Sequence, residues 1–368
     1  MKITCLKNHL KEAIALTEKI SGKNLTLPVL SNILISCDDK KVKLTATNLE
    51  LGIEVEIPAK IEKKGKVAIP AGIINGFISN IGNEEKITLE TISENNLLIA
   101  TQNSSTIIKG QPTEDFPSLP RPENKKETEI PAHEFVQGLK SVWYAASLSS
   151  IKPEIASVFV SLSKGQPLTF VATDSFRLAE KKTKQIPSDA GSVLIPQRSV
   201  AEIIRILDGK EEKIRLISDK NQIFILADGL VFVSRIVEGI FPDYQQIIPK
   251  KFTTDVILDK NLLVSSLRAA SVFSNKLNEI IIVVDAESGE VTTITSNADT
   301  GEHTSHFKAK VTGESIKMNF NYKYILDCLP HVNSSGVLLR FSGDGKPLVI
   351  TGTEDNTFQC LVMPMNSL

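Results

Sequence analysis

The sequence predicts an α+β fold built from three repeated domains, each with two helices packed on antiparallel sheets. A strand that runs into a helix at Pro70 is repeated at Pro196, 126 residues later, and again at Asn321, 125 residues beyond that. The pair Phe116-Pro117 recurs as Phe241-Pro242, 125 residues on. Landmarks that keep one spacing while the sequence between them diverges indicate three copies of one fold.

The boundaries between the repeats fall near residues 125 and 252, which gives domains 1–125, 126–252 and 253–368. Residues 120–126 are rich in proline and charge, and residues 248–251 are their counterpart. Proline stiffens a connector, and polar side chains keep it solvated. We therefore expect both segments to link neighbouring domains.

Each repeat has the pattern of a short strand, an amphipathic helix, several strands, the strand–helix segment and a second group of strands. Apolar residues recur at helical spacing around Leu10 in the first repeat, and more clearly from Leu262 to Ala270 in the third. Period-two alternation predicts strands, and it is found at Val42–Thr45, Ile53–Ile57, Ile223–Leu226 and Val291–Thr295. Two helices and about eight strands are expected in each domain.

The composition excludes several classes of protein. Aromatic residues make up 5% of the chain, which argues against a protein that stacks the bases of single strands. The net charge is -1, so any contact with nucleic acid must use a local patch. No signal-peptide core or membrane-length apolar run occurs, and we expect a cytoplasmic protein with four buried free thiols.

No motif in the sequence demands an enzyme, a metal or a cofactor. There is no P-loop and no G-x-S-x-G elbow. His303 and His306 lack nearby metal-ligand partners, and an exposed turn or strand explains them better. Asp174 resembles a catalytic carboxylate, but the equivalent residue of the first repeat is Asn48, so a turn-forming role explains both. A hydrolase or transferase using Asp174 and Arg177 stays open as an alternative, as does a monomeric β-rich interaction module.

Four stretches carry a resemblance to a known family, and they are Thr26–Asn32, Ala172–Ala179, Phe241–Tyr244 and Val362–Met365. Together with the length and the threefold repeat, the chain resembles the beta subunit of bacterial DNA polymerase III, the processivity clamp. The resemblance implies a head-to-tail homodimer that forms a six-domain ring around double-stranded DNA without reading its sequence. It also implies a non-catalytic role with three kinds of protein partner, namely the replicative polymerase, the clamp loader and other clamp-binding proteins.

The resemblance implies a pocket for partner peptides between the second and third domains. Its walls would be Ile155, Thr173, Ser175, Phe176, Arg177, Leu178, Pro242, Ile247, Val362, Met363, Pro364 and Met365. Methionine side chains adapt to different partners, which suits such a pocket. Gln246 and Asn366 stand where family members often carry arginine, so we expect partner preference to be altered.

The helices implied to line the ring predict the residues that face DNA. Six helical windows carry a net charge of +5 between them, against -1 for the whole chain. The candidate phosphate contacts are Lys11, Lys23, Arg198, Arg205, Lys210, Arg268 and Lys276. The second helix of the first repeat carries no charge, so contact should be weak and uneven around the hole.

The resemblance also implies the dimer contact. Val272 and Phe273, at the end of the third repeat's first helix, should meet Thr106, Ile107 and Ile108 on a late strand of the first repeat. Thr106 is a weaker apolar anchor than expected at its position.

Overall fold

The structure, a computed structural model, describes residues 1–22, 27–82, 85–93, 95–123, 127–163, 165–185 and 191–365. Within these described residues, each predicted repeat contains two α-helices, as the sequence predicts. The strands and helices of the first repeat are β1 (Lys2–Leu6), α1 (Lys7–Ile20), β2 (Asn32–Cys37), β3 (Val42–Thr47), β4 (Leu51–Ile57), β5 (Ala59–Lys63), β6 (Gly65–Pro70), α2 (Ala71–Asn80), β7 (Lys86–Thr91), β8 (Asn96–Ala100) and β9 (Ser105–Lys109).

The second and third repeats follow the same order. The second contains β10 (Thr128–Pro131), α3 (Ala132–Val142), β11 (Ser157–Leu162), β12 (Pro167–Thr173), β13 (Arg177–Gln185), β14 (Gly191–Pro196), α4 (Gln197–Leu207), β15 (Lys213–Ser218), β16 (Gln222–Ala227) and β17 (Leu230–Arg235). The third contains β18 (Thr254–Asp259), α5 (Lys260–Val272), β19 (Glu279–Asp285), β20 (Glu290–Asn297), β21 (Gly301–Lys308), β22 (Lys310–Gly313), β23 (Ile316–Asn321), α6 (Tyr322–Cys328), β24 (Gly336–Phe341), β25 (Leu348–Gly352) and β26 (Phe358–Val362).

Helices α5 and α6 begin at capping side chains. The Asp259 carboxylate accepts a hydrogen bond from the backbone N–H of Leu262 at 3.0 Å, and the Asn321 side chain accepts one from Lys323 at 3.0 Å. Such caps satisfy donors that the first turn of a helix leaves unpaired. Pro70 occupies the capping position of α2, where its missing N–H costs nothing.

The chain divides into two compact units. The first comprises residues 1–133 and 201–236, and the second comprises residues 134–200 and 237–368. In the first unit, α1 buries Leu10, Ile14 and Ile20 against β3, β4 and α2. An eight-stranded sheet runs in the order β10-β15-β16-β17-β4-β3-β2-β6, and a five-stranded sheet runs β5-β1-β7-β8-β9.

The second unit has the same kind of architecture. A nine-stranded sheet runs β14-β11-β12-β13-β26-β25-β24-β18-β22, and a four-stranded sheet runs β21-β20-β19-β23. Helix α5 buries Leu263, Leu267 and Ala270 and packs on β18, β20, β21 and α6. Leu262, at the start of the same apolar pattern, is 52% exposed instead, because it lies one position off the buried face.

A turn of the first repeat is reproduced in the second. The side chain of Asn48 accepts backbone N–H bonds from Glu50 and Leu51 at 3.0 and 2.7 Å. Asp174 does the same for Phe176 and Arg177 at 2.9 and 3.0 Å. These equivalent bonds confirm the turn-forming interpretation of both residues.

The same turn also repeats its backbone conformation. Leu49, which follows Asn48, and Ser175, which follows Asp174, adopt left-handed backbone angles, with φ values of 75° and 79°. Such a conformation is uncommon in residues other than glycine, and its recurrence indicates that the two repeats share one fold.

The eight-stranded and nine-stranded sheets each contain strands of two successive repeats. In the first unit, β4 of the first repeat pairs antiparallel with β17 of the second, with Val55 opposite Leu230. In the second unit, β13 of the second repeat pairs antiparallel with β26 of the third, with Arg177 opposite Val362. In both cases the fourth strand of one repeat receives the last strand of the next.

All four cysteines are buried free thiols, as the sequence predicts. Burial raises the pKa of Cys5 to about 12, which keeps this thiol protonated and unreactive near neutral pH. Among the described residues, no helix is long and apolar enough to cross a membrane.

Glu54 is a buried carboxylate beside the β4–β17 pairing. Its Oε1 lies 2.8 Å from Lys43 Nζ, and its Oε2 lies 2.9 Å from Nη2 of Arg121, in the connector between the first two repeats. Burial alone would raise the pKa of Glu54, but the bonds to Lys43 and Arg121 outweigh it, so the pKa is lowered.

We expect Glu54→Gln to lower the free energy of unfolding by about 1–3 kcal/mol, because charge-assisted hydrogen bonds are lost. A lowered folded-state pKa stabilises the fold above the unfolded value near 4.5, and that stabilisation is lost as pH falls through the lowered folded value. Urea unfolding at pH 7 and at acid pH measures both effects. Equal differences between wild type and variant at the two pH values would contradict the assignment.

Candidate partner-binding site

The turn between β12 and β13 and the end of the chain lie together in the second unit. Met363 N–H donates to the Phe176 carbonyl at 2.8 Å, which continues the β13–β26 pairing beyond Val362. Met365 N–H donates to the Asn319 carbonyl of β23 at 2.8 Å. The terminal segment is therefore fixed at both ends, with its methionine side chains half-buried.

The segment that carries Pro242 and Ile247 is the other part of the expected pocket. The Phe241 ring stacks on Phe159 at a centroid distance of 5.2 Å. Phe241, Tyr244 and Leu178 belong to one buried apolar cluster. This anchoring leaves Pro242 and Ile247 at the surface, where Ile247 is 48% exposed.

A buried carboxylate fixes the segment of Pro242 and Ile247 to the sheet. Glu180, on β13, accepts a hydrogen bond from the Tyr244 hydroxyl at 2.6 Å and another from the Gln359 side chain of β26 at 2.6 Å. Lys182 Nζ lies 2.9 Å from the same carboxylate and balances its charge. Burial and then the Glu180 bond raise the pKa of Tyr244, so its hydroxyl stays a hydrogen-bond donor.

The expected wall residues occupy three depths. Ser175, Phe176, Pro242 and Ile247 are exposed, and Thr173, Leu178 and Val362 are buried beneath them. The half-buried members are Ile155, Arg177, Met363, Pro364 and Met365. The surface that they present is mainly apolar, which is the character of a peptide-binding site.

Arg177 uses its whole guanidinium group inside the protein. Its Nε donates to Asp174 at 3.0 Å, Nη1 to Asp327 at 2.6 Å, and Nη2 to the Tyr144 carbonyl at 2.7 Å. The group also lies 4.7 Å from the centre of the Tyr324 ring. Burial alone would lower the pKa of Arg177, but Asp327 and Asp174 outweigh it and raise the pKa.

The partners of Arg177 were missed by sequence reasoning. Asp327 is 150 residues away along the chain, and Tyr144 is 33 residues away. No local pattern marks either residue as a neighbour of Arg177. Arg177 therefore joins three segments of the second unit and fixes the pocket-side turn, and little of its charge is left for a ligand.

Asp174 has no free carboxylate oxygen to offer to this site, and Gln246 is neutral. Both oxygens of Asp174 are engaged, Oδ1 by the backbone of the turn and Oδ2 by Arg177. This arrangement does not favour the hydrolase or transferase alternative. The Gln246 side chain donates to Asp243 at 2.8 Å, and Asn366 lies outside the described residues.

Some of the candidate DNA-facing residues are already paired with a carboxylate, and others are not. Arg205 Nε donates to Glu202 at 2.8 Å, and Lys210 Nζ donates to Glu212 at 3.3 Å. Lys23 lies outside the described residues. The remaining candidates are exposed and form no ion pair with a described residue, and these are Lys11, Arg198, Arg268 and Lys276.

The candidate dimer residues lie beside sheet edges. Thr106, Ile107 and Ile108 are on β9, the edge of the five-stranded sheet, with Ile107 57% exposed. Val272 is 67% exposed, and the Phe273 ring stacks on His303 of the edge strand β21 at 5.9 Å. His303 and His306 lie on that strand, and the described residues contain no group of three potential metal ligands.

Comparison with known proteins matches all three repeats to one family. Residues 1–120, 129–243 and 245–366 match the N-terminal, central and C-terminal domains of the DNA polymerase III beta subunit. The beta sliding clamp of Synechococcus elongatus is 27% identical, covering 99% of each chain, and that of Bacillus subtilis is 25% identical, covering 100% of each.

Solved structures agree with this fold over the whole chain. The DNA polymerase sliding clamp from Bacillus subtilis superposes with a TM-score of 0.95 at 24% identity, and the DNA polymerase III subunit beta from Pseudomonas aeruginosa with 0.94 at 22%. Each comparison covers 100% of both chains. With its three domains matched in order, the chain belongs to the family of DNA polymerase III beta subunits, the beta sliding clamps.

Proposed function

We propose that two copies of this chain close head to tail into a ring around duplex DNA and hold the replicative polymerase through a peptide bound beside β13 and β26. As a member of its family, the chain is a sliding clamp for DNA polymerase III and is not an enzyme. The ring, the DNA-facing residues and the peptide site are the parts that we infer for this chain.

The observation that carries the proposal is a pattern of strand pairing between successive repeats, in which two strands lack the partner that the pattern would give them. The fourth strand of the first and second repeats receives the last strand of the next repeat. In the third repeat the fourth strand is β21, and in the first repeat the last strand is β9. Both are edge strands within the described chain. Pairing β21 of one copy with β9 of another would repeat this pattern between copies. A head-to-tail contact that closes produces a ring.

The side chains beside these edges suit such a contact. Ile107 projects from β9, and Val272 projects from the end of α5, whose neighbour Phe273 stacks on β21. Apolar side chains with exposures of 57% and 67% gain stability when a partner copy covers them. We propose that Thr106, Ile107, Ile108, Val272 and Phe273 form this interface.

The contact with DNA should be loose and independent of sequence. Lysine and arginine side chains on helices bind phosphates without reading bases. Arg205 and Lys210 are partly neutralised by Glu202 and Glu212. We propose that Lys11, Arg198, Arg268 and Lys276 contribute most of the contact, that Lys23 adds to it, and that threading through the ring retains the clamp.

We propose that partner peptides bind on the apolar surface formed by the twelve wall residues. Met363 and Met365 can adapt to several partners, since unbranched thioethers fill irregular gaps. The polymerase, the clamp loader and other clamp-binding proteins would compete for this site.

We also propose domain boundaries at 125 and 252, and a location in the cytoplasm with the DNA template.

The proposed interface predicts that Ile107→Asp and Val272→Asp each yield a monomer. A buried unpaired carboxylate at an interface costs several kcal/mol, which is enough to dissociate an ordinary dimer. Light scattering should give 40.3 kDa for the variants and twice that mass for the wild type. Ile92→Asp, at a residue 47% exposed elsewhere in the first unit, is the matched control and should stay dimeric. Dimeric interface variants would reject this contact.

Threading predicts that clamp loaded on circular duplex stays bound and is released once the circle is cut. A variant with Lys11, Arg198, Arg268 and Lys276 changed to alanine should bind linear DNA more weakly, with a shallower salt dependence. It should nevertheless remain on closed circles almost as long as the wild type. Equal retention of wild-type clamp on closed and cut circles would overturn the topological mechanism.

The peptide site predicts that Ile247→Asp weakens polymerase binding at least tenfold while the dimer persists. The new charge would be desolvated by an apolar peptide. Surface plasmon resonance with the purified polymerase measures the affinity, and Ile92→Asp again serves as the control. Deletion of Met363–Leu368 should have the same effect, and unchanged binding by both variants would reject the site.

A further inference from the structure

The first unit contains a counterpart of the proposed peptide site, at the junction where β17 of the second repeat pairs with β4 of the first. In the second unit, Met363 N–H donates to the Phe176 carbonyl just past the last β13–β26 pair. In the first unit, Arg235 N–H donates to the Glu50 carbonyl at 2.9 Å just past the last β4–β17 pair. The two junctions therefore end with the same backbone hydrogen bond.

The segments that follow β9 and β17 are also anchored to their sheets in the same way. In the first unit, Arg121 donates to the buried carboxylate of Glu54 at 2.9 Å. In the second unit, the Tyr244 hydroxyl donates to the buried carboxylate of Glu180 at 2.6 Å. Glu54 and Glu180 are 126 residues apart, which is the spacing of the repeats. The framework that presents the proposed peptide site is therefore present a second time.

Part of the surface at this first junction is apolar and uncovered. Leu49, on the turn before β4, is 48% exposed, Leu27 is 42% exposed, and Ile236 is half-buried at the end of β17. A Cβ atom placed on Gly22 would stand 3.2 Å from Cβ of Asn48, and Gly22 N–H donates at 2.8 Å to the short helical turn that follows Leu27. The segment of Leu27 thus lies against the turn of Leu49.

Arg235 gives this junction a cation that the second junction lacks. Its side chain is exposed and forms no hydrogen bond or ion pair with any residue that the structure describes. Glu50, which is also exposed, does not pair with it. The equivalent residue of the second junction is the uncharged Met363, and the guanidinium group of Arg177 is already held there by two carboxylates. The two junctions therefore differ in the charge that they offer to a ligand.

We propose that Leu27, Leu49, Arg235 and Ile236, which we call the first-junction surface, form a second peptide-binding site in each chain. Its ligand is an extended segment of a partner protein that carries a carboxylate next to apolar side chains. Uncovered apolar side chains that lie close together mark interaction sites, and a guanidinium group bonds strongly to a carboxylate. The inference rests on the proposed peptide site for its pattern, but the first-junction surface is separate from it.

A peptide suits this surface better than a second copy of the chain or DNA. The proposed dimer uses the edge strands β9 and β21, and none of the four residues lies on either strand. Nucleic acid is bound through several cations that neutralise phosphates. Here a single unpaired arginine lies next to Glu50, and most of the surface is apolar. A ligand with one carboxylate and several apolar side chains matches that composition.

The test selects peptides of about twelve residues from a displayed random library on the dimer that carries Ile247→Asp, in which the proposed peptide site is blocked. Counter-selection uses the same dimer with Leu49→Ser/Ile236→Ser added. Selected peptides should combine apolar residues with an aspartate or glutamate. In fluorescence anisotropy they should bind wild type and Ile247→Asp alike, and Leu49→Ser/Ile236→Ser about tenfold more weakly, which corresponds to about 1.4 kcal/mol.

The variants are chosen so that the fold persists. Serine suits position 49, because Ser175 adopts the same left-handed conformation at the equivalent position of the second repeat. Ile73→Ser/Ile92→Ser removes two other exposed apolar side chains of the first unit and is the matched control, which should bind a selected peptide as wild type does. Urea unfolding of both variants checks that neither has lost its structure.

Arg235→Glu tests the contact with the carboxylate separately. It should weaken binding of a selected peptide at least tenfold, and replacing the acidic residue of the peptide by lysine should restore binding to this variant. Packing alone would not reverse with charge in this way. Lys86→Glu changes another exposed cation of the first unit that has no ion-pair partner among the described residues, and it should leave binding unchanged.

Three results would overturn this proposal. The first is a selection that yields no peptide sensitive to Leu49→Ser/Ile236→Ser, or yields peptides that are indifferent to Arg235→Glu. The second is displacement of a selected peptide by short duplex DNA, which would assign Arg235 to phosphate. The third is assembly of dimers into larger species that Leu49→Ser/Ile236→Ser lacks in light scattering, which would assign the surface to a second copy of this chain.

Failure of this site and failure of the proposed peptide site are distinguishable. If Ile247→Asp leaves polymerase binding unchanged, the proposed peptide site is wrong. A peptide that depends on Leu49, Ile236 and Arg235 would still establish the first-junction surface as a site of its own. If Ile247→Asp abolishes polymerase binding and no such peptide is found, only the first-junction surface is rejected.

Discussion

Backbone hydrogen bonding between successive repeats is the interaction on which the rest of this structure depends. The backbone N–H and C=O groups of every strand need hydrogen-bond partners. A strand at the exposed edge of a sheet leaves half of these groups unpaired, and another strand can bind to them. Here β17 covers the edge of β4, and β26 covers the edge of β13. The chain thus converts two of its repeat edges into sheet interior, whereas β21, the fourth strand of the third repeat, and β9, the last strand of the first, stay edge strands within the described chain.

The proposed peptide site arises at the second of these junctions for the same reason. Pairing β26 with β13 brings the terminal segment beside the Asp174 turn, and the Met363–Phe176 bond extends that pairing to the surface. Buried polar groups then fix the site, with Glu180 holding the segment of Tyr244 and Arg177 holding the turn. Satisfied polar groups in a low-dielectric setting favour one arrangement, which suits a surface that must stay preformed.

The charge distribution favours the proposed mechanism, in which a ring encloses DNA, over tight binding to the phosphates. A chain of net charge -1 has little bulk attraction for phosphate. Two of the candidate cations are further offset by neighbouring carboxylates, at Glu202 and Glu212. Weak phosphate contact would leave the proposed ring free to slide, and its retention on DNA would then depend on topology.

The sequence alone determined the repeats, because periodic landmarks such as Pro70, Pro196 and Asn321 mark local structure that each copy must form for itself. It also determined the helices, the strands with period-two alternation and the turns at Asn48 and Asp174, since each depends on residues close along the chain. Tertiary structure alone decided which repeat edges are covered, because strand pairing between β13 and β26 joins residues about 180 positions apart. The same long range hid Asp327 as a partner of Arg177. Such contacts are set by how the repeats pack, and no local pattern in the sequence encodes them.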